Sequence, residues 1–433
     1  MPRIALIALS VLLACQAVPR VQDLGVSAED GGRAGPGDAG RYDDAGLLAP
    51  DGGSQLSPDP QCEADGCLRE ATFVTRVSRA TLQTLVDPRV RIENGYEVWT
   101  LTYATGTWTA LATVTLPLGR APDGGFPIVE NNHGTTGVGD PCAWTGTALG
   151  TGLAGLFGAR RAVGVAPDPP GLGTPGLHPY LVAEVAGRGA LDGLRAARQL
   201  ARWQGVPLAE RYAMVGLSQG GHTTLAAAAR HRSYAPELDL RAFGVTAPAS
   251  LFEEQWRVGV TFDGPHLVFH ALVVHAWSDH DGWSGPSPWT AALAPLVDEG
   301  FATRCLVAAP GRESLSDLLG STRSDIFAPT LLDEYVSGRW SRFAAFRDGF
   351  AANRIRPYSQ TAPLRVYQGT ADTTIPEADT RALVDELREG GVVVDYEVVA
   401  GGGHLDVAFG FLASRELRTD EAIAWVRDAL GTD

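Results

Sequence analysis

The chain has 433 residues, 45% apolar and 20% charged, enough for one large cored domain or roughly two to three smaller ones. Its formal net charge of −15 argues against nucleic acid and anionic membrane surfaces as partners. All 35 basic residues are arginine, so Schiff-base, pyridoxal-lysine and P-loop lysine chemistry have no residue to use.

Residues 1–15 read as a signal peptide, with an apolar run from Ile4 to Ala14. Eleven helical residues span about 16 Å, too short for a hydrocarbon core of about 30 Å. Leu12-Leu13-Ala14-Cys15 resembles the lipobox of bacterial lipoproteins, in which Cys15 would be lipidated and would bring membrane contact through that anchor. An ordinary secretory signal is the alternative. Either way the protein is expected to be exported, as an outer-membrane or cell-surface lipoprotein or else secreted. Residues 16–67 are rich in Gly, Ala, Asp and Pro without periodicity and are expected to be a disordered spacer. With Cys15 set aside, Cys62, Cys67, Cys142 and Cys305 remain. An even number in an exported chain suggests two disulfides with three possible connectivities, of which Cys62–Cys67 with Cys142–Cys305 is preferred because the first pair is local. Free buried thiols are the alternative.

The catalytic domain is expected over 68–433. Val98 to Ala104 and Ala110 to Leu116 are β-branched and aromatic and read as an opening antiparallel hairpin. Pro127-Ile128-Val129 begins a buried strand that runs into Asn131-Asn132-His133-Gly134-Thr135-Thr136-Gly137. A small-residue loop at that place can supply an oxyanion donor, Thr135 N–H, or be a plain turn. Ala162 to Ala166 is the next strand, closed by Pro167-Asp168-Pro169-Pro170-Gly171, and Tyr180 to Trp203 carries apolar residues at helical spacing.

The pattern then sharpens. Tyr212 to Leu217 is an apolar strand, Gly216-Leu217-Ser218-Gln219-Gly220 follows, and Thr223 to Ala229 favours helix. Strand, sharp turn and helix make a nucleophile elbow, with Ser218 as nucleophile and Gln219 N–H as the second oxyanion donor. Among 52 glycines a bare G-x-S-x-G arises readily by chance, and the flanks discriminate. Ala242 to Ala247 is a further strand. From about 248 to 357 no clear alternation appears, and five of the ten tryptophans fall there, as expected of a cap. They either form the cap's own core or line an acyl channel. His275 to Asp281 has metal-ligand residue types without site-defining spacing and reads as a polar loop.

Alternation returns with strand Leu364 to Gln368, helix Glu377 to Glu389, strand Val392 to Val399 and a final helix from about Asp420 to Leu430. Asp372 and His404 then stand at the C-terminal ends of consecutive strands, the edge where open α/β sheets place their sites. Of nine histidines only His404 follows this acid. Three glycines before it would give its loop freedom to reach Ser218. Asp379 is the nearest competing acid, placed within a helix.

His133 to Gly137 with Asp140-Pro141-Cys142, Gly216 to His222, Gly369-Thr370-Ala371-Asp372 and Gly403-His404 together resemble the secretory lipase family. Leu191 to Ala197 resembles that family's helix before the elbow, whereas Asp168-Pro169 departs from its Asp-Tyr. The resemblance covers roughly Thr72 to the end. It implies an α/β-hydrolase fold, with a mostly parallel central sheet, helices on both faces and a mainly helical cap at about 248–357. It also implies lipase or esterase action on small-molecule or lipid esters, and no metal or organic cofactor. A serine peptidase or acyltransferase on the same fold, and a surface binding protein on a hydrolase scaffold, are the competing functions.

Overall fold

A computed structural model describes residues 58–86, 90–308, 311–405, 407–409 and 418–431. The expectations for the signal peptide, for Cys15 and for residues 16–57 lie outside the described residues.

β-Branched and aromatic runs form nine strands of one sheet: β1 (Leu68–Val77), β2 (Tyr96–Thr105), β3 (Trp108–Pro117), β4 (Phe126–Asn132), β5 (Val163–Asp168), β6 (Leu208–Leu217), β7 (Asp239–Thr246), β8 (Leu364–Gly369) and β9 (Val394–Val399). Their spatial order is β1-β2-β3-β5-β4-β6-β7-β8-β9. The first three run antiparallel and join β5 antiparallel, and all pairings from β5 to β9 are parallel. Parallel strands need crossovers that bury both faces. Helix Ala183–Trp203, through Leu191, Leu194 and Leu200, packs one face with the elbow helix Gln219–Tyr234 and helix Glu377–Glu389. The other face takes Phe157 from helix Ala148–Gly158 and Ile423 and Val426 from helix Thr419–Leu430. Because the strands are parallel, the C-terminal ends of β4, β6, β8 and β9 open on one edge of the sheet.

Residues 58–67, expected within the spacer, belong to the described fold. They are fastened to the sheet: Gly66 N–H donates to Ala104 O at 2.8 Å, Asp65 accepts from Gly106 N–H at 2.7 Å, and Cys62 is joined to Cys67. The second disulfide joins Cys142 to Cys305 across 163 residues, so the free-thiol alternative does not hold.

Between β7 and β8 the described elements are helices, from Glu253–Gly259 to Ala344–Asn353, with one isolated bridge from Trp289 to Phe327. They enclose a separate core holding Trp277, Trp289 and Trp340, with Trp256 and Trp283 packed against it. His275 to His280 is not a polar loop but the end of helix Leu267–His280. The helix is buried on nearly every side, so its sequence lacks the 3.6-residue alternation that marks a half-exposed helix. The His275 ring stacks on Phe301 with centroids 4.2 Å apart. Among the described residues no group of three potential metal ligands forms.

Candidate active site

Ser218 occupies the turn between β6 and the elbow helix with φ 58° and ψ −116°. That left-handed geometry costs a non-glycine residue on the order of 1–3 kcal/mol and persists only where surroundings impose it. They do so here by close approach. A Cβ on Gly216 would fall 2.2 Å from Gly220 O, and one on Gly220 would fall 1.9 Å from Asn132 O. Strand, helix and the end of β4 therefore press together at the two glycines, while Ser218 N–H donates to Thr246 O at 2.9 Å.

Asp372 follows β8, and its side chain is fully buried. Oδ1 accepts N–H bonds from Thr374 at 2.8 Å and Ile375 at 2.9 Å. Oδ2 lies 2.8 Å from His404 Nδ1 and accepts from Gln368 Nε2 at 3.1 Å. Burial pushes the carboxyl up, but the hydrogen bond and charge of His404 and the two backbone donors outweigh it, so Asp372 titrates below the usual carboxylate range. With Nδ1 turned to the acid, His404 keeps Nε2 for another partner. It makes no hydrogen bond with Ser218 Oγ, a contact that such sites commonly tighten only in the complex. Asp379, the competing acid, sits in the first turn of helix Glu377–Glu389, where burial raises it to about 6.

The glycines before His404 serve contact more than freedom. The loops after β8 and β9 are zipped together by Thr370 N–H to Val399 O at 3.0 Å and Ala371 N–H to Gly402 O at 2.8 Å. A Cβ on Gly369 would meet Gly402 O at 2.2 Å. Small residues let the histidine loop lie flush on the aspartate loop, which fixes the 2.8 Å contact.

The loop after β4 covers the elbow: a Cβ on Gly134 would lie 3.8 Å from Ser218 Cβ. Neither Thr135 N–H nor Gln219 N–H, the latter opening its helix, has a hydrogen-bond partner among the described residues. Thr135 Oγ1 lies 2.9 Å from Tyr180 Oη, and Thr136 O accepts from Leu306 N–H at 2.7 Å, beside the Cys142–Cys305 bond. The candidate oxyanion loop is thus held by the crossover segment on one side and the cap on the other.

Several supporting residues escape the sequence reading. Gln219 Nε2 donates to His178 Nε2 at 2.7 Å, while His178 Nδ1–H donates to Pro170 O at 3.0 Å. Burial lowers His178 to about 4, so the ring is neutral and accepts as this pattern requires. His222 Nε2–H donates to Asn353 O at 3.0 Å, and Asn353 Oδ1 accepts the Ala183 N–H at 3.0 Å. The last cap helix is thereby tied to both the elbow helix and the crossover helix. His222 stands in the Gly216 to His222 motif and could have drawn notice there, but its partner is 131 residues away and has no local signal.

The secretory lipase family model matches residues 159–252, from before β5 through the elbow to past β7. No curated protein matches the chain. Among solved structures, the rice cell wall degrading esterase LipA from Xanthomonas oryzae aligns with TM-score 0.68 at 21% identity, covering 85% of this chain and 98% of that one. Candida antarctica lipase A in its closed state aligns with TM-score 0.61 at 15% identity, covering 87% of each chain. At these identities the structural likeness establishes the fold, and the family match falls on the segment that carries the elbow. The chain has the α/β-hydrolase fold of these esterase and lipase structures, and its elbow-bearing residues 159–252 are similar to the secretory lipase family.

Proposed function

We propose that the protein is a serine carboxylic-ester hydrolase working through an acyl-enzyme on Ser218. The observation that carries this reading is the convergence on one sheet edge of a strained Ser218 at φ 58° and a His404–Asp372 pair at 2.8 Å. Ser218 Oγ adds to the ester carbonyl while His404 Nε2 takes its proton. Asp372 holds the ring and stabilises the imidazolium. Thr135 and Gln219 N–H groups receive the oxyanion. Collapse of the tetrahedral intermediate expels the alcohol, protonated by His404, and water then releases the acid by the same route. Ser218→Ala and His404→Ala should each lower kcat by several orders of magnitude with the fold intact, because these residues act as a unit. A fluorophosphonate probe should label Ser218, and a Ser218→Ala protein that kept most of its esterase activity would defeat the reading.

The esterase and lipase neighbours favour small-molecule or lipid esters as substrates. Two disulfides and the likeness to the secretory lipase family fit an exported protein, and no described helix is long and apolar enough to cross a membrane. The finer location belongs to this proposal: a lipid on Cys15, with no aspartate after it to hold the protein at the inner membrane of a Gram-negative host. Mass spectrometry of the mature N-terminus tests it, and an unmodified terminus elsewhere rejects it.

A further inference from the structure

We infer that His133, held by Asp168, is a positioning residue that aims the Thr135 N–H into the oxyanion site. The inference rests on the ester-hydrolase reading and adds to it a residue that acts through the loop backbone rather than on substrate.

His133 is 4% exposed and Asp168 1%. The ring's Nδ1 lies 2.7 Å from Gly134 O, and Nε2 lies 3.1 Å from Asp168 Oδ1. Gly134 O can only accept, so Nδ1 carries the hydrogen donated to it, and Nε2 faces the Asp168 carboxyl. Asp168 is itself fixed: Oδ1 also accepts from Trp144 N–H at 2.7 Å, and Oδ2 from Thr145 N–H at 2.7 Å. Trp144 then packs on the His133 ring with centroids 4.9 Å apart. The imidazole is therefore clamped by the end of β5 and by the segment that follows Cys142.

What the clamp does follows from peptide geometry. Gly134 O and Thr135 N–H belong to one planar peptide unit, and the described chain has no cis bonds. In a trans unit C=O and N–H point in opposite directions. Holding Gly134 O against His133 therefore turns the Thr135 N–H the other way, and this peptide lies directly over the elbow, with Gly134 packed near Ser218 Cβ. Without the ring, Gly134 offers little resistance to a peptide flip that would turn the donor away. A preorganised oxyanion donor is worth more than one that must reorient as charge develops.

Asn and Gln separate aiming from mere tethering. The amide of His133→Asn falls near the place of Nδ1 and can still hold Gly134 O. The amide of His133→Gln is one bond longer and reaches toward Asp168 instead. Three measurements on the full chain decide: kcat and KM on p-nitrophenyl acetate, Ki for an aryl trifluoromethyl ketone whose serine adduct carries an oxyanion, and thermal melting. His133→Ala should lower kcat roughly 10- to 100-fold with KM changed less than about threefold, and raise the ketone Ki by a similar factor. His133→Asn should recover most of the loss, and His133→Gln little of it. Should the alanine variant fail to fold, the Asn-to-Gln contrast alone decides. The inference is overturned if Gln equals or exceeds Asn, or if kcat falls while the ketone Ki stays fixed. Absent fluorophosphonate labelling of Ser218 in the unaltered enzyme would instead overturn the ester-hydrolase reading, a separate outcome.

Discussion

Gln368 donates its side-chain amide to Asp372 Oδ2 at 3.1 Å from four residues upstream, at the end of the same strand. The same amide also reaches Ile375 O at 3.0 Å, and Gln368 Oε1 accepts from Thr380 Oγ1 at 2.7 Å. One fully buried residue thus closes the loop that carries the acid and ties it to helix Glu377–Glu389. Gln368→Leu would keep the volume and remove every one of these bonds. The acid would lose a donor and the loop its brace, and a displacement near 1 Å in a catalytic group can cost about 100-fold. Steady-state kinetics should show kcat down by roughly 10- to 100-fold, with circular dichroism unchanged. Full activity would mean that the Thr374 and Ile375 N–H bonds hold Asp372 without help.

Glu130 lies fully buried on β4, beneath the loop, with neither carboxyl oxygen hydrogen-bonded. Burial pushes its carboxyl well above the usual range, against an opposing pull from the Asn132 side chain and with a smaller push from the charge of Asp192. The folded protein then holds a proton that the unfolded chain releases at about pH 4.3. Between those two pKa values the folded state binds more protons, so stability is full below the unfolded value and declines as pH rises through the window. Each pH unit crossed costs about 1.4 kcal/mol. Glu130→Gln carries no titrating group and should flatten the fall of Tm between pH 5 and pH 8. Parallel Tm curves for the two proteins would show that Glu130 ionises freely in the fold.

The site was more legible than its supports for a physical reason. Ser218, Asp372 and His404 sit at strand ends, where chain order and local glycine patterns announce a turn. Gln368, His178 and Asn353 act through partners that only the tertiary fold supplies, and nothing in their neighbours marks them. The sheet was readable from β2 onward because β-branched runs persist there. β1 was missed, since Leu68–Val77 is an edge strand with mixed exposure and charged residues within it. Helix Ala148–Gly158 was missed because four of its eleven residues are glycine, poor helix formers that here allow close packing. A Cβ on Gly158 would fall 2.1 Å from Thr115 Oγ1, so packing overrides propensity. The cap was placed in the chain as a mainly helical insertion, but its individual helices were not delimited, because the longest of them, Leu267–His280, is buried on nearly every side and carries no period.

The cap tryptophans bear on substrate choice. Trp340 is 2% exposed and packs against Tyr335 with ring centroids 5.1 Å apart, and its Nε1–H donates to Glu253 Oε1. Trp277 and Trp289 are likewise spent on the cap's own core, so the alternative of an acyl channel lined by these rings is not favoured. Trp340→Ala should therefore destabilise by about 3–5 kcal/mol, the usual cost of emptying a buried aromatic site. The milder Trp340→Phe should leave the relative kcat/KM from acetate to decanoate p-nitrophenyl esters superimposable on the unaltered enzyme. A chain-length profile that shifted in Trp340→Phe would place this ring on the acyl path after all.

Cys142–Cys305 joins the base of the candidate oxyanion loop to the cap, and one residue beyond Cys305 the Leu306 N–H donates to Thr136 O at 2.7 Å. The bond therefore does two jobs that can be separated. As a cross-link over 163 residues it restricts the unfolded chain, worth about 5 kcal/mol in the chain-entropy model before any native strain is subtracted. As a tether it keeps the cap segment at Leu306 beside Thr136, next to the residue whose N–H is to meet the oxyanion. Gly137, with φ 144°, packs where a Cβ would fall 2.5 Å from Cys142 Sγ, so the turn is shaped around the sulfur itself. The double variant Cys142→Ala, Cys305→Ala should melt several degrees lower than the oxidised enzyme. Below its melting range it should also lose kcat, by several-fold, because the loop is freed on its cap side. Peptide mapping of the unaltered enzyme must first find the Cys142–Cys305 peptide under non-reducing conditions. If the double variant melts lower yet keeps its full kcat at 25 °C, the bond stabilises the fold without shaping the site, and the loop owes its conformation to its other contacts, Tyr180 and the His133–Asp168 pair among them.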